Sequence, residues 1–398
     1  MLTLDKVFNA QTVLKNIIRE TNLVRAYGVA DKCELYLKPE NLQITGSFKV
    51  RGSAYKIAML SDEEKEKGVI ACSAGNHAQG VALAATKNGI KSLICLPDTA
   101  PISKVEATKG YGADVCLVEG CYDDAYQKSL ELKEKEGYTF VHPFDDENVI
   151  AGQGTIALEV LNELDDVDAI VVPVGGGGLI SGIAYTVKQI RPSVKVYGVQ
   201  VAGAPSMYNS IKDGEIECLQ SVSTIADGIA VKQPGENTYK FVKEYVDEIA
   251  LVSDDEVASA ILTLIEKQKM IAEGAGAAAV AAVMFDKFNL KGKRVVAIVS
   301  GGNIDVTSLS RVIERGLMKS GRSSSLLLEL MDKPGQLKDV SRIIADCGGN
   351  VTSVHHERAG STESVNGCYL RIVMETRNYE HVMEIKQALR SEGFKLVE

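Results

Sequence analysis

A chain of 398 residues exceeds what one ordinary hydrophobic core sustains, so two or three domains are expected. Its hydrophobic content of 45% and charged content of 24% are those of a globular protein, and the net charge of −9 argues against a surface for nucleic acid or anionic membrane. Eight scattered cysteines form no CxxC pair and five histidines no HExxH, which points to free thiols in a reducing compartment, with no disulfide frame and no metal ligand assigned. The N-terminus lacks a signal-peptide apolar region, and the small-apolar stretch 275–285 is too short for a bilayer, so the cytoplasm is the expected location.

Taken in chain order, a short strand pattern at 34–37 runs into Lys38-Pro-Glu-Asn41 and then Gly46-Ser-Phe-Lys-Val-Arg-Gly52. Lys49 is a reactive amine set among small residues. A lysine that condenses with an aldehyde cofactor needs that room and a fixed stem. By itself it reads as a solvated surface lysine, and only the loops downstream overturn that reading. Ser61 with Glu64 makes a capping box for the next helix.

The strand pattern 69–72 ends in Ser73-Ala-Gly-Asn-His77 and enters a helix over 76–89. The backbone amides and Ser73 suit a substrate carboxylate at a helix N-terminus. Asn76 can reach a ring hydroxyl. His77 invites a reading as general base, but a histidine at a helix start is more often structural. Further strands are expected at 92–96, 114–118, 169–174, 195–201 and 294–299, interleaved with helical patterns such as 179–190. Alternation of this kind predicts parallel sheets covered by helices, with the ligand crevice beyond the strands' carboxyl ends.

Two of those ends are rich in glycine. Gly175-Gly-Gly-Gly178-Leu179 follows an apolar run and opens a helix, so its N–H groups can close on a phosphate monoester. Neither GxGxxG nor GK[ST] spacing is met, which excludes the two common nucleotide fingerprints. Ser300-Gly-Gly-Asn303 follows the strand at 294–299; Ser300 could hydrogen-bond a ring nitrogen, though the motif alone reads equally as a β-turn. Ser253 with Glu256 caps a helix whose 257, 258, 261, 262 and 265 share an apolar face.

Composition shifts after 312–318. Lys319-Ser-Gly-Arg-Ser-Ser-Ser325 reads as a linker. Beyond it come strand 326–331, the turn Asp332-Lys-Pro-Gly335, helix 336–347, strands 350–356 and 368–375, helix 379–391 and strand 394–397. This is a ferredoxin-like βαββαβ unit.

In order, Lys49 in its Gly-Ser-Phe-Lys-Val-Arg-Gly setting, Ser73-Ala-Gly-Asn-His-Ala-Gln-Gly80, the tetraglycine and Ser300-Gly-Gly-Asn resemble the fold-type-II pyridoxal-phosphate enzymes. Within them the likeness is to the threonine dehydratase (threonine ammonia-lyase) family. It runs over 4–318 and includes Val141-His-Pro-Phe-Asp145, Gly152-Gln-Gly154 and Glu273-Gly-Ala-Gly276, while the C-terminal unit resembles an ACT domain. The resemblance implies an α/β catalytic domain, 1–318, of two parallel-sheet subdomains, the smaller over roughly 44–146, then a linker at 319–325 and the ACT domain at 326–398. It implies that Lys49 bonds pyridoxal 5′-phosphate and later takes the Cα proton. Gly175, Gly176, Gly177, Gly178 and Leu179 would hold the phosphate, Asn76 and Ser300 the ring, and Phe48 would pack near it. Ser73, Ala74, Gly75, Asn76 and His77 would take the substrate carboxylate.

The reaction implied is β-elimination of L-threonine to 2-oxobutanoate and ammonia, and of L-serine to pyruvate. An amino-acid effector, isoleucine first, is expected at Pro334, Gly335, Gln336, Leu337 and Asn350, in a homodimer or homotetramer. Serine racemases carry a second serine where this chain has Ala74, so no racemisation is expected. A sensor that has lost catalysis would have shed Lys49 first.

Overall fold

The computed structural model describes residues 2–357 and 367–397, and it divides into a larger unit, Met1–Val306, and a smaller one, Thr307–Glu398. The larger unit holds two sheets. Its main sheet has six strands: β1 (Val24–Arg25), β2 (Glu34–Pro39), β10 (Arg294–Val299), β7 (Ala169–Pro173), β8 (Lys195–Val201) and β9 (Glu248–Val252), in that spatial order. All neighbours from β2 to β9 are parallel; only β1 is antiparallel. The second sheet runs β5 (Asp114–Val118), β4 (Ser92–Pro97), β3 (Val69–Cys72), β6 (Thr139–Phe140), all parallel.

Strands β3 and β7 are buried along their whole length, which is why they read as unbroken apolar runs with no alternation. Among the described residues, no helix is long and apolar enough to cross a membrane.

The chain order fixes where a ligand can enter. From β7 the chain goes out to β8 on one side, while β10 pairs with β7 on the other. The loops after β7 and after β10 therefore flank a topological switch point, where open α/β sheets bind ligands.

Glycines bring three helices together beneath that point. A Cβ on Gly152, in the helix Glu147–Glu163, would lie 2.7 Å from the Arg51 carbonyl oxygen, in the helix Lys49–Ala58. A Cβ on Gly182, in the helix Gly178–Ile190, would lie 2.3 Å from the Ile150 carbonyl oxygen. The middle helix is thus clasped on both sides at backbone distance, and Gln153 Oε1 accepts from Gly52 N–H (3.3 Å). One neighbour begins with Lys49 and the other with Gly178.

In the smaller unit the helix Val306–Lys319 is followed by a four-stranded antiparallel sheet, β12 (Asn350–Glu357), β13 (Gly367–Glu375), β11 (Ser323–Met331), β14 (Lys395–Val397). Helices Gln336–Asp346 and Tyr379–Ser391 complete the βαββαβ order. The segment 319–325 contains little loop. The helix ends at Lys319 and β11 begins at Ser323, with Ser323–Ser325 paired to Val373–Glu375. Backbone pairing to β13 makes strand of a serine run whose side chains suggest a linker.

Candidate active site

Lys49 is the first residue of its helix, and the segment before it is pinned to the loop after β10. Ser47 makes an isolated bridge to Gly301, and Phe48 N–H donates to the Ser300 carbonyl (3.1 Å). The Lys49 amine donates to the Pro143 carbonyl (2.8 Å) and lies 5.4 Å from the centre of the Phe48 ring. Burial drives its pKa down to about 8, against a smaller opposing pull from Glu273. The amine therefore has a far larger neutral fraction near neutrality than an exposed lysine, and the neutral form is the nucleophile toward an aldehyde.

Pro143 and Phe144 tie the amine to the tetraglycine. A Cβ on Gly176 would fall 2.5 Å from the Phe144 ring, and one on Gly178 would fall 2.9 Å from Phe144 backbone. Residue 143 holds the amine and residue 144 floors the glycine loop. Gly177 has φ +98°, and the Gly176 carbonyl accepts from Thr238 Oγ1 (2.6 Å) and Gly235 N–H (3.4 Å). That carbonyl is turned away and fixed. The helix Gly178–Ile190 has no side-chain cap, and its first intrahelical bond here runs from Ser181 N–H to the Gly177 carbonyl. The amides ahead of it form a side-chain-free cradle at a positive helix end. Leu179 is buried in the main core, so it offers the cradle backbone only.

On the facing subdomain, Ser73–Gly75 follow β3 and the helix Asn76–Lys87 begins at once. The first helical bond is from Gln79 N–H to the Gly75 carbonyl (3.5 Å), so the amides of residues 76–78 precede it. Ser73 Oγ accepts from Gly75 N–H (3.1 Å), shaping the loop. The Asn76 side chain bridges two elements: its Nδ2 donates to Glu273 Oε1 (2.7 Å) and its Oδ1 accepts from Asn303 Nδ2 (2.8 Å). Glu273 is buried, and desolvation together with nearby Asp227 raises its pKa to about 8.

His77 lies inside the protein. Its Nε2 meets the Val141 carbonyl at 2.8 Å and its Nδ1 lies 3.5 Å from Ser53 Oγ. Desolvation, with Lys49 nearby, drives its pKa down to about 3. The imidazole is held neutral and internal, so of this residue only the backbone amide faces the loop's task.

Several residues of the site take part through groups whose role the sequence does not announce. Pro143, Phe144, Glu273, Asn303 and Thr238 act through backbone groups or through partners distant in sequence. The strongest case is Arg51, two residues after Lys49 and closed to solvent. It reaches Glu40 (Nε to Oε2 and Nη2 to Oε1, both 2.8 Å) and Glu159 (2.5 and 2.9 Å). Lys38, equally buried, contacts Glu159 at 2.6 Å and donates to the Thr21 carbonyl.

The pyridoxal-phosphate dependent enzyme family matches residues 14–301, and the ACT domain family matches 324–391. This chain belongs to the pyridoxal-phosphate dependent enzymes. It is 48% identical over 398 residues to an L-threonine ammonia-lyase of Thermotoga maritima, covering 100% of this chain and 99% of that protein. It is 42% identical to an L-threonine ammonia-lyase of Geobacter sulfurreducens, covering 99% and 98%. Among solved structures it is similar to threonine deaminase isoform 2 of Solanum lycopersicum, at 40% identity and TM-score 0.74, covering 78% of this chain and 93% of that one. It is also similar to maize serine racemase, at 34% identity and TM-score 0.75, covering 80% and 98%.

A family member of this kind depends on pyridoxal phosphate, and the residues present fit it. A desolvated lysine amine is held at the Pro143 carbonyl, and the next residue, Phe144, leaves no room for a Cβ on Gly176 or Gly178 of the glycine loop.

In the ACT unit a cavity of about 440 Å³ opens at the start of the helix Gln336–Asp346. Pro334, Gly335, Gln336 and Leu337 line it. Asn350 does not. It begins β12, whose other end reaches the cavity at His356, and its Nδ2 donates to Glu375 Oε2 (2.8 Å). Six residues of strand, about 20 Å, separate the two positions.

Proposed function

We propose that this chain is a threonine ammonia-lyase that removes water and ammonia from L-threonine to give 2-oxobutanoate, and pyruvate from L-serine. The observation that carries the reading is the Lys49 amine, desolvated and held at the Pro143 carbonyl beside the tetraglycine cradle. The Thermotoga and Geobacter relatives support it over the full chain length.

Bound pyridoxal phosphate supplies an aldehyde for amines and an electron sink that acidifies the substrate Cα–H. The chain's residues do the rest. The amides of Gly175–Gly178 bind a phosphate, and the amides at the start of the helix Asn76–Lys87, with Ser73, orient a carboxylate. With the cofactor bound, Ser300 would be the neutral partner of the ring nitrogen, Phe48 would pack beside the ring and Asn76 would face its hydroxyl. Lys49 would be the base that takes the Cα proton; a positioned base is worth about 10²–10⁴ in rate. His77 is no rival for that task, because burial keeps it neutral and bonded to Val141.

Ala74 has no proton to deliver to the opposite face of Cα, so racemisation should be negligible. The ACT unit supports amino-acid control, with isoleucine as the first effector to test and Pro334–Leu337 as its seat. Cytoplasmic location and a dimer or tetramer complete the reading.

The test is 2-oxobutanoate release from L-threonine, with and without isoleucine, by the wild type, Lys49→Ala and a chain lacking 323–398. Activity that survives Lys49→Ala, or D-serine accumulating from L-serine, contradicts the catalytic reading. An effector response unchanged by the deletion contradicts the regulatory one.

A further inference from the structure

The cavity of the ACT unit is lined by three side chains that an amino-acid effector does not require. Asp332 follows β11, His356 lies near the end of β12, and Cys368 lies near the start of β13. Strand register brings them to one face. Leu330 pairs with Cys368 and His356 pairs with Leu370, so His356 is the diagonal neighbour of Cys368 on the same side of the sheet. Asp332 lies just past the end of β11 and lines the same cavity. One ligand atom from each, Asp332 carboxylate oxygen, His356 ring nitrogen and Cys368 sulfur, lies within 4.8 Å of the other two, and His356 Nε2 to Asp332 Oδ1 is 4.0 Å.

From this geometry we propose that Asp332, His356 and Cys368 form a binding site for a divalent transition metal of the zinc class. The donor set decides the metal. A thiolate and an imidazole beside one carboxylate suit Zn²⁺ and its congeners, whereas Mg²⁺ and Ca²⁺ demand oxygen ligands throughout. Tetrahedral Zn²⁺ with bonds of about 2.0–2.3 Å puts its ligand atoms roughly 3.3–3.8 Å apart. Separations of at most 4.8 Å close to that by side-chain movements on the order of an ångström. On binding, the Cys368 thiol gives its proton to solvent and the sulfur–metal bond forms in its stead, with no redox change.

Three protein ligands would leave one tetrahedral position for water or another ligand. Cys368 alone would be unremarkable, since a buried thiol often packs as a small apolar group, and it does sit in the core of this unit. That reading accounts for neither the imidazole nor the carboxylate gathered on the same face. Among the described residues, Lys333, exposed, is the one lysine or arginine lining the cavity, and its long stem lets the charge stand in water. The CxxC and HExxH spacings that announce metal sites in sequence are absent because these ligands come from three separate strand ends.

The test is equilibrium dialysis of full-length, cofactor-loaded, chelator-stripped protein against Zn²⁺, with metal counted by mass spectrometry. Wild type, His356→Gln and Asp332→Asn are compared. The last two residues are exposed, so their variants keep the fold, unlike a change at buried Cys368. The expected result is one Zn²⁺ per wild-type chain, with affinity lowered at least about 100-fold in each variant, since even partners outside the ligand shell cost 10–100-fold. Cobalt substitution reads the sulfur directly: a near-ultraviolet thiolate charge-transfer band, in difference against the chelated protein, is expected in wild type and lost in His356→Gln. No stoichiometric zinc in wild type, equal zinc in both variants, or a cobalt protein without the thiolate band would each overturn the site. None of these readouts depends on catalytic activity.

Discussion

The Arg51 guanidinium meets the Glu40 carboxylate in a two-pronged contact, both hydrogen bonds at 2.8 Å and neither side chain open to solvent. Glu40 follows β2 and Arg51 lies in the first turns of the Lys49 helix, so the contact locks the main sheet to the element that carries the reactive amine. The Glu40 carboxylate is held below its ordinary range despite its burial, because Arg51 and Thr21 more than offset the desolvation. Removing one member of such a pair leaves a buried charge uncompensated, which costs about 3–5 kcal/mol. Glu40→Ala should therefore lower the melting temperature by several degrees and reduce turnover as well, because the Lys49 helix loses its anchor. A variant that melts like wild type would show that Glu159 alone holds the guanidinium.

Lys49 should titrate far below its exposed relatives. An ordinary lysine with its pKa near 10.5 is neutral in about one molecule in 300 at pH 8, whereas an amine with its pKa at about 8 is half neutral there. The shift is downward because burial disfavours the charged form, so reactivity rises through pH 8 and levels above it. Competitive acylation of the cofactor-free protein, read by peptide mass spectrometry, should show the Lys49 peptide inflecting near pH 8. An inflection above pH 10 would mean that water reaches the amine freely.

His77 should behave as a buried neutral group. Its folded pKa of about 3 lies below the ordinary 6.5, so between those values the unfolded chain binds a proton that the native chain refuses. The stabilisation is full above pH 6.5 and is lost as pH falls toward 3, at up to about 1.4 kcal/mol per pH unit. His77→Asn should flatten the stability profile between pH 4.5 and 6.5 by about one proton's worth. It should also cost about 1–3 kcal/mol at pH 7 for the lost bond to Val141, with turnover kept within tenfold. A pH–rate inflection that disappears in the variant would instead give His77 a part in the chemistry.

The parallel strands were legible because burial on both faces leaves an unbroken apolar run, as in β3 and β7. Two-residue β1 and β6 carry no period to detect, and β9 is only half-buried. The glycine cradle showed itself because backbone chemistry selects glycine and nothing else. Glu40, Arg51 and Glu159 did not, because a buried charge is spelled with the same letters as a surface one; only tertiary pairing separates them. Pro143 acts through its carbonyl, which every residue has. Asn350, named with the effector positions, stands at the start of β12, at the opposite end of the strand from the cavity at His356.

Gly177 tests whether the cradle's shape, apart from its charge, holds the phosphate. At φ +98° a side chain is strained wherever it points, by about 1–2 kcal/mol. An added Cβ would also lie 2.7 Å from Met207 Cε and 2.8 Å from Thr238 Cβ. The methionine tip can swing away. The β-branched Thr238 cannot, because its hydroxyl bonds the Gly176 carbonyl at 2.6 Å. The loop must therefore move, taking its amides with it. Gly214 supplies the control: it too has positive φ, +85°, at the end of the helix Ser206–Asp213, but nothing lies within 4 Å of its would-be Cβ. Gly177→Ala should weaken pyridoxal-phosphate affinity at least about tenfold, measured by fluorescence titration of the stripped protein, whereas Gly214→Ala should cost about 1 kcal/mol of stability and leave affinity unchanged. Equal losses of affinity in both would mean that backbone strain anywhere in the unit reaches the cofactor, and the cradle would lose its special standing.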